Sequence, residues 1–425
     1  MLVHSKMIFY FYLFLSVFAL LNPTNIGIDY LIVPIILMWL LFFIFYKNAK
    51  SGSVISQNLI PILETNSYKI LSIFITLFAI IFIPLYTQYY TGSNLFTSIV
   101  NFFSGASQVN STYVQYQRYF SQMQLGQFTI EKIPFIVGFG VLKFLFWSVI
   151  FRTIVFKRKI NKFDISIMTI LFFLFFFIGV ARGTSFEIFE LIIILAFSTL
   201  LRFKRLYNKN WYSFKITLIM VTLMFLSFNF FLFSKSLRFG GQNLISKPTF
   251  ELSYNYDSLI SIISPPVSIA FQNLTGYFLF GLYFTGISIA AVTQTITGVL
   301  SLFIPFGLNV MGIGTDFKSL ICGHIIDCGA SWIPDVMQIM GSIGLIFLIL
   351  IVRYLGKTSK KLYVELMKGN ILASILLYTI FLFFISLPIG NFISVSSSNQ
   401  IAILLTLILY LLPNKTYLYG FFVVK

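Results

Sequence analysis

Charge is what this sequence has least of. Only 10% of its 425 residues are Asp, Glu, Lys or Arg, while 58% are hydrophobic and the mean hydropathy is +0.93. So few charges cannot cover the surface of a soluble protein, and the chain reads as a polytopic membrane protein. The short alternating segments of a β-barrel are also missing, so the spanning elements are helices and the fold class is all-α. There is no P-loop, dinucleotide fingerprint, DxD-type metal motif or Gly-x-Ser-x-Gly. Together with short cytoplasmic loops, this argues against an enzyme that draws on a cytoplasmic nucleotide sugar. No repeat of fixed period and no inverted symmetry between halves is visible, which weakens a secondary-transporter reading. No small-residue cleavage site follows the first apolar stretch, so that stretch is read as a helix and not as a leader.

What is present is basic and aromatic. The net charge is +17, with 53 Phe and 23 Tyr. The basic residues lie in short loops between apolar runs, which points to membrane topology and not to nucleic acid. The runs predict spans over Met7–Leu21, Ile28–Tyr46, Ile70–Tyr90, Ile133–Phe156, Ile165–Val180, Ile188–Leu201, Ile216–Phe233, Val336–Leu355, Ile371–Leu387 and Ile401–Leu412. A span needs about 20 apolar residues, or somewhat fewer where the bilayer adapts. With these spans, twenty-one Lys and Arg fall on one side and seven on the other, and Lys143 lies inside the fourth span. Both termini are therefore expected in the cytoplasm of a bacterium, with the chain in its inner membrane. Ser268–Val292 and Ile296–Phe306 are apolar enough to enter the bilayer as two further spans or as re-entrant or surface helices. The total is ten helices, or twelve.

The chain forms one membrane domain, and residues 235–332 form its large extracytoplasmic loop. Most of the remaining polar chemistry sits there or at the neighbouring outer turns. Cys322 and Cys328 are the two cysteines of the chain, and both fall in this loop. A disulfide is the leading reading in an oxidising compartment, and metal binding with His324 is the weaker alternative because the spacing fits no strong zinc motif. His324 can serve as a general base because an imidazole titrates near neutral pH, although a surface loop histidine is the commoner case. Asp316, Asp327 and Asp335 compete for the same role, and Asp335 also fits a helix cap.

Cations on the side poor in basic residues need a reason. Arg182 ends the fifth span beside Gly183, with Glu187 and Glu190 on the next helix. It is either an interfacial arginine paired with Glu187 or a bidentate clamp for a diphosphate. Lys235 and Arg238, in Lys235-Ser-Leu-Arg-Phe-Gly-Gly241, share its face, and the glycines would let backbone amides approach an anion. Tyr113, Tyr116 and Tyr119 make one stripe on a helix, which reads as an interfacial anchor and as an aromatic platform for sugar rings. Lys143 is expected to snorkel outward, or its span to begin later.

Three stretches resemble the Wzy-type O-antigen and capsule polymerases, also called oligosaccharide repeat unit polymerases. They are Arg182-Gly183 after an apolar span, the glycine-aromatic run Gly276–Ala290 followed by Met311-Gly-Ile-Gly314, and Trp332–Asp335 with Gly341-Ser-Ile-Gly344. The likeness covers 171–356. Some members carry a Gly eleven positions after a functional Arg, whereas Ile193 and Thr249 follow Arg182 and Arg238 at that distance. The resemblance implies transfer of a glycan from undecaprenyl diphosphate to another carrier-linked unit, outside the membrane and with no cofactor. The physical demands of that transfer assign Arg182, Arg238, Lys235 and Tyr116 to substrate binding and His324 and Asp327 to catalysis. The expected partners are the lipid-linked oligosaccharide, membrane lipid and a chain-length regulator protein. An O-antigen ligase shares this architecture and is the nearest alternative. A flippase or transporter of the same lipid would instead line a central path with charges, and a structural subunit is a further class.

Overall fold

The computed structural model describes residues 2–49, 66–103, 112–207, 255–311, 334–390 and 396–412 apart from scattered positions, together with Asn229 and Ile393. The chain is a multi-pass, all-α membrane protein. Its helices are α1 (Val3–Leu20), α2 (Asp29–Ala49), α3 (Asn66–Thr91), α4 (Leu95–Phe103), α5 (Thr112–Gln122), α6 (Ile133–Ile150), α7 (Lys162–Arg182) and α8 (Phe186–Tyr207). After these come α9 (Leu259–Ile263), α10 (Phe280–Val292), α11 (Ile296–Phe303), α12 (Pro305–Val310), α13 (Asp335–Ile343), α14 (Leu345–Met367), α15 (Ile371–Ile389) and α16 (Ser397–Leu411). Among the described residues, six segments are long and apolar enough to cross a bilayer: α1, α2, Tyr68–Thr91, Ile130–Phe156, α7 and α15. Apart from Asn229, the expected span over Ile216–Phe233 lies outside the described residues, as does about half of the loop at 235–332.

The spans show why a bilayer is the solvent. In α3, Ile75, Ala79 and Ile83 are buried, yet the opposite face exposes Ile70, Phe74, Leu77, Ile81 and Leu85. A helix that is apolar on both faces has no stable place in water, and its outward leucines and isoleucines belong against lipid tails.

Two compact units divide the chain. One comprises 1–54, 245–362 and 379–397, and the other 55–244, 363–378 and 398–425, so that α15 contributes to both. In the first unit α2 packs on α10 so closely that a Cβ on Gly286 would strike the Tyr30 carbonyl. Small residues allow such approach where helices gain nothing from leaving lipid. The Tyr12 hydroxyl donates to the Phe384 carbonyl at 2.9 Å, which satisfies a phenol inside the apolar layer.

The expected single helix over Val336–Leu355 is corrected here. α13 and α14 meet at a bend of 116° across Gly344. Gly344 has φ +89°, and a Cβ there would collide with the Phe303 backbone. An apolar pattern cannot reveal that break, because both arms are apolar. Asp335 does not cap α13 through its side chain either: the Ser386 hydroxyl donates to its buried carboxylate.

In the second unit α3 and α8 pack on α7, and α6 continues as a π-helical turn over Phe151–Phe156. Arg202 donates to the carbonyls of Ile154 at 2.6 Å and Lys157 at 2.8 Å, which serves acceptors that the end of the helix leaves over. Lys157 forks onto both oxygens of Asp164 at 2.7 Å. Asn161 and Asp164 form a capping box that starts α7.

Candidate functional site

The site grows from the way α7 stops. Gly183 adopts φ +62°, a left-handed conformation that costs a glycine nothing. The Thr184 amide then donates to the Gly179 carbonyl at 2.9 Å and the Gly183 amide to Val180 at 3.0 Å, a Schellman end. The chain reverses within a few residues, and α8 begins at Phe186. Arg182, the last residue of α7, thereby meets Glu187 in the first turn of α8.

Arg182 Nη1 and Glu187 Oε1 form an ion pair, and the Thr184 hydroxyl donates to Glu187 Oε2 at 2.7 Å. Arg182 Nη2 donates to the Tyr116 hydroxyl at 2.9 Å, and the guanidinium carbon lies 5.0 Å from the centroid of the Tyr116 ring. The Glu187 side chain is buried at 4% exposure, whereas Arg182 keeps 26% of its side chain exposed. Among the described residues, Nε of Arg182 has no acceptor. The site is thus a cation with its carboxylate partner underneath and one accessible side.

Aromatic rings cluster where the end of α3 meets the start of α6. Tyr86 packs on Tyr90 with centroids 4.7 Å apart and stacks on Phe139 at 4.3 Å, while Tyr89 stacks on Phe135 at 4.1 Å. The charge of Arg182 reaches both Tyr86 and Tyr90. Of the expected tyrosine stripe, Tyr116 is buried against Arg182 and Tyr119 lies over Gly92. The side chain of Tyr113 lies outside the described residues.

A second polar cluster shares α8 with this site, and the sequence reading missed it. Lys143 does not snorkel. It is buried at the middle of α6, donating to Glu190 Oε2 at 2.6 Å and to Asn399 Oδ1 at 2.7 Å. The rings of Phe139 and Phe186 flank the ammonium at 5.3 and 5.8 Å. A mid-span ammonium is tolerable only when partners replace its water, and α8 and α16 supply them. Among the described residues, Glu190 Oε1 and the Tyr378 hydroxyl are buried without a hydrogen-bond partner. Trp147 and Phe197 pack around Tyr378 with centroids 5.4 and 5.6 Å away. Glu187 and Glu190, three positions apart on α8, present both carboxylates on one side, so cations and carboxylates alternate through Arg182, Glu187, Lys143 and Glu190. The available signal was Glu190 itself, a carboxylate in an apolar stretch beside a lysine in another.

Of the residues expected to carry function, Arg182 and Tyr116 come together. Lys235, Arg238, His324 and Asp327 lie outside the described residues, as do Cys322, Cys328 and Asp316. Among the described residues no three His, Cys, Asp or Glu side chains converge as metal ligands. No protein family, no curated protein and no solved structure matches the chain.

Proposed function

We propose that this protein polymerises lipid-linked oligosaccharide repeat units into O-antigen or capsular polysaccharide at the outer face of a bacterial inner membrane. In this reading the chain has ten or twelve membrane helices, both termini lie in the cytoplasm, and 235–332 form the large outer loop. The acceptor hydroxyl of one carrier-linked unit attacks the anomeric carbon of another. The bond from that carbon to the diphosphate breaks, the hydroxyl proton passes to His324 or Asp327, and undecaprenyl diphosphate departs with its charge. Cationic side chains aimed at that charge are the main stabilisation such a reaction needs.

The observation that carries the reading is Arg182. It stands at a helix end that the charge pattern assigns to the basic-poor side, held by Tyr116 and Glu187, with part of its guanidinium side chain accessible. An arginine there, with part of its fork accessible, suits the diphosphate of a carrier-linked glycan. Arg238 and Lys235 would add charge from the following loop. A chain-length regulator is the protein partner this activity implies.

Deleting the gene in its host and running the surface glycan on a gel tests the proposal. The expected result is collapse of the ladder to lipid core bearing a single repeat. The Lys143–Glu190–Asn399 cluster favours a second reading, transport of the same lipid, because it puts charge inside the span. That reading predicts no repeat on the core and lipid-linked glycan held on the cytoplasmic face. A ligase predicts the same bare core with the glycan accumulating outside, and an unchanged ladder would end all three.

A further inference from the structure

The partner of Arg182 poses a question of selectivity. An arginine at the depth of lipid headgroups is surrounded by phospholipid phosphodiesters, each an anion that suits a guanidinium. A bare arginine there would be occupied by bulk lipid. Glu187 already fills the place an anion would take: it pairs with Arg182 Nη1 and accepts from the Thr184 hydroxyl. It is buried at 4% exposure, below a guanidinium that remains accessible.

We infer that Glu187 is the specificity-determining residue of this site, a built-in competitor that only an anion of more than one charge can displace from Arg182. The proposal rests on the diphosphate reading above and adds to it the selection of lipid diphosphate over phospholipid. A phosphodiester carries the same single charge as a carboxylate, so exchanging one for the other gains little. A diphosphate carries more charge and wins the exchange. The displaced carboxylate has a nearby cation to turn to. Lys143 donates two hydrogen bonds, to Glu190 and Asn399, and an ammonium has three to give. Glu190, which Lys143 holds, stands three positions from Glu187 on α8. Glu187 and Glu190 would then share the one ammonium of Lys143, a cost that a ligand of single charge does not offset and a diphosphate does.

The test uses the purified full chain in nanodiscs of neutral phosphatidylcholine and of anionic phosphatidylglycerol, with farnesyl diphosphate as the probe. Wild type is expected to bind the probe with similar affinity in both membranes, and Arg182→Gln to bind it in neither. Glu187→Gln is expected to bind at least as tightly as wild type in phosphatidylcholine and to lose about tenfold in phosphatidylglycerol, where headgroups occupy Arg182. Glu187→Asp, which keeps the charge, restores equal binding in the two membranes and controls for folding. If Glu187→Gln binds equally in both membranes, or more weakly than wild type in phosphatidylcholine while Glu187→Asp stays normal, Glu187 merely positions Arg182 and the inference fails. If wild type binds no farnesyl diphosphate, or Arg182→Gln binds it as well as wild type does, the diphosphate reading itself fails.

Discussion

Lys143 gives the sharpest stability prediction. Lys143→Met keeps the length of the stem and removes the ammonium. Two hydrogen bonds vanish, at 2.6 and 2.7 Å, and Glu190 is left with no donor to either oxygen. Removing one partner of a buried pair costs about 3–5 kcal/mol. The double change Lys143→Met with Glu190→Met removes both charges and should recover most of the loss, because apolar replacements of buried pairs are often neutral or better. The assay is reversible unfolding of the purified protein with SDS in mixed micelles. Equal stability of Lys143→Met and wild type at pH 7 would refute the buried pair. A double variant as unstable as the single one would refute the assignment of the cost to a stranded charge.

Three further outcomes follow from backbone and packing, each read in the same unfolding assay. Gly286→Ala places a methyl against the Tyr30 carbonyl and should cost about 1–3 kcal/mol through forced separation of α2 and α10; no change would mean that these helices are not in close contact. Gly183→Ala forces a Cβ into a left-handed residue and should cost about 1–2 kcal/mol, with Gly183→Asn losing less. Asn161→Ala removes the side chain that accepts from the Asp164 amide at 2.8 Å, and about 1 kcal/mol should go with it.

The spans were legible because one rule dominates them: an uninterrupted apolar run of sufficient length. α2, α3 and α7 therefore appear close to where the sequence puts them. The bend at Gly344 was not legible, since it depends on the Phe303 backbone arriving from 41 positions earlier in the chain. Arg182 was found because a cation on the basic-poor side contradicts the topology signal. Its pairing with Glu187 was readable at a separation of five residues. Its contact with Tyr116, 66 residues away, was not. Lys143 was misjudged for a related reason: a lysine in an apolar run reads as snorkelling unless its partners are known, and Asn399 is 256 residues distant.

The most direct measurement is complementation of the deletion strain with Arg182→Lys, reading the surface glycan on a gel beside the amount of protein in the membrane. Lysine keeps the charge and loses the fork that reaches Tyr116 and that the proposal directs at a diphosphate. The account predicts wild-type protein levels with the repeat ladder lost or cut to its shortest members. A full ladder from Arg182→Lys, and from Arg182→Ala as well, would contradict it and leave Arg182 as an interfacial partner of Glu187.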